Sequence, residues 1–278
     1  MLFTGVALPL FAGSGGRSPC PDGGQLLVRV LGPIGVCRNG SETQVAKART
    51  RAVLAILVIH KDAVVPADTI VDGLWDGQAT KGARHAVQVA VSSLRSILGE
   101  RPNTRATNRL VTHPSGYMLT LGRRELDVTI AEDLAGNAAA LAQRNHLEDA
   151  VNCYLTAEAL WRGPPFAEFL YAEFAQAEIR RLSEIHLCLV EDRVDAQLAL
   201  GLHREIVPEL EALVVEHPSR ERLLGQLMIA LHRSDRPIDA ELAYARAVER
   251  LRTEYGTAPG RAVTDLANAM RSFDTNPA

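Results

Sequence analysis

The segment Lys81 to Leu98 constrains this chain more than any other. At 3.6 residues per turn, Ala83, Val87, Ala90, Val91, Leu94 and Leu98 fall on one arc of a helix, joined by Ala86 and Ile97. Lys81, Arg84, His85, Gln88, Ser92 and Arg95 fall on the opposite arc. One arc can be buried in a core. The other presents cations and amide and hydroxyl groups, with no carboxylate. Such a face suits a polyanion whose edges accept hydrogen bonds, as the major groove of duplex DNA does. Arg84 and Gln88 lie one turn apart near the amino end and are the candidates for base edges, Arg for guanine and Gln for adenine, with His85 beside them. Lys81, Ser92 and Arg95 are placed for phosphates, which fix position without reading sequence.

A hairpin follows after about ten residues. Arg109 to Thr112 and Tyr117 to Leu121 are strand-like runs around Pro114-Ser115-Gly116, with Arg109 and His113 as further phosphate candidates and Tyr117 packed beneath. Upstream, Leu26 to Leu31 and Ile34 to Cys37 read as strands, the second closed by Asn39-Gly40, and a third is expected over Thr43 to Ala46. The nearly all-apolar run Arg51 to His60 predicts a buried helix introduced by Lys47, Arg49 and Arg51, three more phosphate candidates. Pro66-Ala67-Asp68 opens another helix through Trp75, with Pro near its first turn and an acid at its positive end. Trp75 is read as a core anchor, and Asp76 to Thr80 as the break before the groove-reading helix. Strands, three helices and a hairpin in that order make an α+β winged helix-turn-helix with a leading antiparallel sheet.

The net charge of −3 hides a division. Residues 25–124 hold 14 Lys or Arg against 6 Asp or Glu, while residues 125–278 hold 15 against 26. A basic module joined to an acidic one suggests nucleic-acid binding in the first half and another role in the second. The expected organisation is a disordered tail over 1–24, a DNA-binding domain over 25–124 and an all-α domain over 125–278.

In the second half the predicted helices are Val128 to Ala142, Leu147 to Trp161, Phe166 to Leu200 with a break, His203 to Glu216, Arg220 to Arg233, Pro237 to Tyr255 and Arg261 to Met270. Asp149-Ala150-x-x-x-Tyr154-x-x-Ala157 recurs as Asp239-Ala240-x-x-x-Tyr244-x-x-Ala247. Ile206 and Leu210 match Ile238 and Leu242 at a spacing near the ~34-residue tetratricopeptide period. A tetratricopeptide-like array is therefore expected, beside the plainer reading of an antiparallel bundle rich in Ala.

Enzyme signatures are missing. The chain has no G-x-x-x-x-G-K-[ST], H-E-x-x-H or G-x-S-x-G, and its His residues are dispersed, so neither an enzyme, a metal nor a cofactor is expected. Glu132-Asp133 and Glu191-Asp192 read as solvated helix surface. Cys20, Cys37, Cys153 and Cys188 are scattered, which argues against structural disulfides and for a reducing cytoplasm, in contact with the nucleoid. No apolar run is long enough for a membrane span. Residues 2–12 are apolar but lack the preceding positive charge of a secretory signal.

The chain resembles the Streptomyces antibiotic regulatory proteins, which pair an OmpR-type winged helix with a bacterial transcriptional activation domain. The resemblance runs from about Leu26 to Met270. It rests on Val30-Leu31-Gly32-Pro33, Gly73-Leu74-Trp75, Ala83-Arg84-His85-Ala86-Val87-Gln88-Val89, Val91-Ser92-Ser93-Leu94-Arg95 and Ser115-Gly116-Tyr117-Met118-Leu119. In the second half it rests on Ala159-Leu160-Trp161-Arg162-Gly163-Pro164, His217-Pro218, Gly225-Gln226-Leu227-Met228 and Glu254-Tyr255-Gly256. The resemblance implies an activator of a secondary-metabolite gene cluster that binds direct repeats near a promoter's −35 element and recruits RNA polymerase. It makes the helix from Ala83 the recognition helix. The turn of Asp76, Gly77, Gln78 and Thr80 would face polymerase or sigma factor, and copies would sit side by side on DNA as a homodimer or larger assembly. Ser93 and Ser96 stand where relatives carry Arg, so binding shared with the wing and with partners is expected. Two alternatives use the same residues differently: a repressor with identical DNA contacts, and a protein-interaction scaffold whose DNA-binding domain is weakened.

Overall fold

The computed structural model describes residues 26–43, 45–75, 77–78, 81–100 and 108–274, without the side chains of 273 and 274. The described chain forms two compact units, one of residues 26–136 with 156–187 and the other of residues 137–155 with 188–274.

The first unit opens with an antiparallel sheet, β1 (Leu26–Arg29), β2 (Gly35–Arg38) and β3 (Ser41–Thr43), in the order β1-β2-β3. The third strand thus begins two residues before the expected one. The turn into it places Asn39 and Gly40 at positive φ, as an Asn-Gly hairpin requires. Helix α1 (Ala48–Ile59) buries every residue from Ala52 to Val58, so it can only be central. Helix α2 (Ala67–Trp75) and helix α3 (Ala83–Leu98) pack on it and on each other. A short strand that sequence periodicity missed, β4 (Val64–Pro66), pairs with β6 (Gly116–Leu119), and β6 pairs with β5 (Leu110–His113). The hairpin β5–β6 is the wing. Gly116 is required there, since a Cβ would collide with the backbone of Val65. Leu54, Leu57, Ile70, Leu94, Leu110 and Leu119 are fully buried and tie helices and wing into one core.

The chain leaves the wing and returns along the first sheet. Val28 N–H donates to the Glu125 carbonyl at 2.8 Å, and helix α4 (Asp127–Gln143) starts with a buried carboxylate. Asp127 accepts from the N–H groups of Val30 at 2.9 Å and Leu31 at 3.0 Å. Farther on, Arg162 N–H donates to Leu31 O and Phe166 N–H to Val30 O, each at 2.8 Å. Phe166 is 1% exposed and tolerates left-handed backbone because its ring is held in that core. Its neighbour Trp161 stacks on His186, ring centroids 4.7 Å apart.

The remaining helices are α5 (Leu147–Glu158), α6 (Glu173–Ala199), α7 (His203–Glu216), α8 (Glu221–His232), α9 (Pro237–Arg250) and α10 (Arg261–Asp274). The expected break after Phe166 is a single 3-10 turn, Ala167–Phe169, and α9 runs on into one π turn, Leu251–Tyr255. The core of the second unit joins Val194 of α6, Leu210 of α7, Leu223 and Met228 of α8, Ala240 of α9 and Ala267 of α10. Both copies of the recurring motif point Ala inward, at Ala150 and Ala240.

Two residues depart from what the sequence predicts. Glu191 is not solvated surface: it is 4% exposed and meets Arg220 at 3.2 Å and Arg222 at 3.4 Å. Cys37 is disulfide-bonded, whereas Cys153 and Cys188 form no disulfide. Among the described residues, no helix is long and apolar enough to cross a membrane and no cluster of potential ligands could hold a metal ion.

Candidate nucleic-acid interface

Helix α3 divides its two arcs as the pattern requires. Ala83, Val87, Ala90, Val91, Leu94 and Leu98 are buried, while Arg84, His85, Gln88 and Ser92 are exposed, as is Lys81 just ahead of the helix. The first turn carries no acid and no side-chain cap, so its N–H groups and positive dipole end are left open. Gly99 ends the helix at φ +75, and the Arg38 guanidinium lies against it, where a cation meets the negative end of the dipole.

Arg84 is not free. Its guanidinium grips Asp68 of α2 through Nη2–Oδ1 at 2.7 Å, Nη2–Oδ2 at 2.8 Å and Nε–Oδ1 at 3.0 Å. Both side chains are largely in water, 72% and 67% exposed, so the pair orients the fork more than it stabilises the fold. Val89, on the same face one residue after Gln88, is 47% exposed. An apolar side chain there can meet a thymine methyl group, and neither amphipathic arc had claimed it.

Arg95 is braced against the wing. Its guanidinium donates to Thr112 Oγ1 at 2.7 Å and to the Leu110 carbonyl at 3.2 Å, with Glu100 at 3.7 Å. Glu100 in turn accepts from Leu110 N–H at 2.7 Å. Helix and wing are therefore locked in one relative position by an Arg–Glu pair. Arg109 is likewise engaged, with Glu125 at 3.0 Å, and that hydrogen bond holds the Glu125 carboxyl below the usual carboxylate range. His113, at the exposed wing tip, shares a hydrogen bond of 3.0 Å with Ser115. Tyr117 is half-buried on β6 opposite Thr112.

At the start of α1 the three cations part company. Lys47 and Arg49 are exposed. Arg51 donates to the Val45 carbonyl at 2.8 Å and the Ala46 carbonyl at 3.0 Å, which holds the chain entering the helix. Trp75 is half-buried, with the Arg49 guanidinium 5.4 Å from its ring centroid in a cation–π contact. In the turn that follows, Gly77 and Gln78 are exposed, and Gln78 N–H donates to the Trp75 carbonyl at 2.8 Å. Asp76 and Thr80 lie outside the described residues.

The geometry thus gathers Lys81, Arg84, His85, Gln88, Val89 and Ser92 on one open face, and leaves His113 exposed on the wing. It commits Arg51, Arg95 and Arg109 to protein partners.

Comparison with known proteins places this geometry. Residues 42–119 match the family described as transcriptional regulatory protein, C terminal, and residues 126–271 match the bacterial transcriptional activator domain. The chain is 31% identical over 251 residues to the regulatory protein DnrI of Streptomyces peucetius, covering 89% of this chain and 92% of that protein. It is 34% identical over 254 residues to the regulatory protein AfsR of Streptomyces coelicolor, of which it spans 25%. The solved structure of Mycobacterium tuberculosis EmbR in complex with a low-affinity phosphopeptide superposes with a TM-score of 0.83 at 29% identity. That match covers 91% of this chain and 66% of the EmbR chain.

Proposed function

Because the chain belongs to the Streptomyces antibiotic regulatory protein family of transcriptional regulators, which are not enzymes, we propose that it activates a secondary-metabolite gene cluster by binding direct repeats near a promoter's −35 element. The observation that carries this reading is the acid-free exposed face of α3, held by α1, α2 and the wing. Arg84, Gln88 and His85 would meet base edges, with Val89 at a thymine methyl group. Lys81, Ser92, Lys47, Arg49 and His113 would meet phosphates, and Arg95, Arg109 and Arg51 would act mainly by fixing the wing and the first helix. The exposed Gly77 and Gln78 would face RNA polymerase with its sigma factor. Copies would sit side by side on successive repeats. The soluble regulator would work in the cytoplasm at the nucleoid.

Footprinting on promoters of genes adjoining its own tests the reading. Protection of two or more repeats at one helical spacing upstream of −35 is the expected result. Absence of protection at low salt, where phosphate contacts are strongest, overturns it. Transcription in vitro with purified polymerase then gives the sign, and lower output on addition of the protein would make it a repressor.

A further inference from the structure

The second unit contains a cleft that DNA binding leaves unused. Helix α8 forms its floor through Leu224, Leu227 and Leu231, spaced one helical face apart. Helix α7 lines one wall with Val214 and Val215, and α9 lines the other with Leu242, Ala243 and Ala247. The cleft holds about 460 Å³, within the range of small-molecule sites, and its apolar rim is uncovered, Val215 being 68% and Leu242 45% exposed.

Its cations are not paired alike. Arg236, Arg246 and Arg250 line it with Glu211 and Asp239. Arg236 is neutralised by Asp239 at 2.6 Å and reaches Glu211 of α7 at 3.9 Å. Arg250 pairs with Glu254 at 3.1 Å and donates to the Val215 carbonyl of α7 at 2.8 Å. These two arginines, at the two ends of α9, bridge to α7 and close both ends of the cleft. A peptide helix lying through it would need those ends open. Arg246, one turn from Arg250, is exposed on the cleft side of α9 and has no ion-pair partner among the described residues.

We infer that this cleft binds a small amphiphilic monoanion, an apolar body carrying one carboxylate, with the body on Leu224, Leu227 and Leu242 and the carboxylate on Arg246. The apolar rim supplies a site for a hydrocarbon surface that water would otherwise cover, and a charge-assisted hydrogen bond to Arg246 fixes the head. The cleft and α3 belong to different compact units, and no residue of α3 enters the argument, so the inference stands whether or not the DNA reading holds.

Calorimetric titration of the full chain with dodecanoate, below its micelle concentration, tests it against dodecyltrimethylammonium, which has the same tail and the opposite charge. Saturable binding of the anion at one site is expected, with the cation about tenfold weaker or worse. Arg246→Gln should weaken dodecanoate about tenfold while leaving the melting temperature unchanged. Ala243→Phe, which fills the cleft from the α9 wall, should abolish binding. If that variant does not fold, Arg246→Gln and the charge-reversed amphiphile decide alone. Equal affinity for the two amphiphiles, undiminished binding by Arg246→Gln, or binding of an acidic amphipathic peptide in place of dodecanoate overturns the inference.

Discussion

Arg84 on the open face of α3 and the arginines beside α6 and α8 have the same chemistry and opposite fates. Around Glu191, Arg220 and Arg222 converge on one buried carboxylate, and Arg222 also takes Asp192 and Asp195 at 2.6 Å each. Arg193 is buried and pairs with the exposed carboxylate of Glu209. On α3, Arg84 is held by a single surface acid, and just ahead of the helix Lys81 stands in water. The difference teaches that charge composition does not by itself mark a binding face. An arginine surrounded by acids is committed to the fold, and one with a single solvated partner can exchange it for a ligand.

The largest effect should come from breaking the committed group. Glu191→Ala leaves Arg220 and Arg222 without their shared partner and should cost about 2 to 4 kcal/mol in urea unfolding, while DNA affinity of the folded protein stays at the parent value. A parent-like unfolding midpoint would show that Asp192 and Asp195 suffice to hold Arg222.

Asp127 sharpens the contrast through pH. Burial pushes its pKa up to about 6 despite the N–H groups of Val30 and Leu31 and the Arg162 guanidinium 3.9 Å away. Because the folded value is raised, its contribution to stability is full below the ordinary pKa of 3.8 and is lost as pH climbs through 6. The parent should therefore lose on the order of 2 to 3 kcal/mol between pH 4 and 7 relative to Asp127→Asn. Parallel stability curves for the two proteins would place the carboxylate outside this window.

The next effects are in binding. Arg84→Ala should lose about 1 to 3 kcal/mol at the cognate repeat and relax preference at one base pair. Arg95→Ala should weaken all sequences alike with an unchanged salt slope, as expected of a brace; a slope reduced by about 0.9 would instead make it a phosphate contact. The smallest effect belongs to Asp68→Asn. An exposed pair contributes at most about 1 kcal/mol, so stability should barely move, whereas DNA binding should tighten severalfold as Arg84 is released and a repelling carboxylate is removed. Weaker binding by Asp68→Asn would mean that the acid aims Arg84 rather than competing for it.

Much of this was readable along the chain. Helical periodicity placed α3 with its buried and open faces, because every residue needed for that pattern lies within one segment. What stayed hidden depends on partners distant in sequence. Asp68 and Arg84 sit on different helices, so nothing local signals their pairing. The Glu191-Asp192 pair looks like any solvated acid pair until Arg220 and Arg222 arrive from α8. β4 is too short for its own periodicity and exists because β6 pairs with it. Trp75 looked like a core anchor on its apolar neighbours, yet it is half-buried under Arg49, a residue read only as a phosphate candidate.

The path of the chain through the first unit has a practical corollary. The residues that close the β1 end of the winged fold come from Asp127, Arg162 and Phe166, and the intervening stretch 137–155 belongs to the other compact unit. Neither unit is a single continuous stretch of chain. A fragment ending at residue 124 would expose the backbone N–H groups of Val30 and Leu31 together with the pocket that Phe166 fills. Exchanging DNA-binding halves between relatives at that junction would disrupt a folding unit, whereas grafting only the exposed positions of α3 would leave it whole.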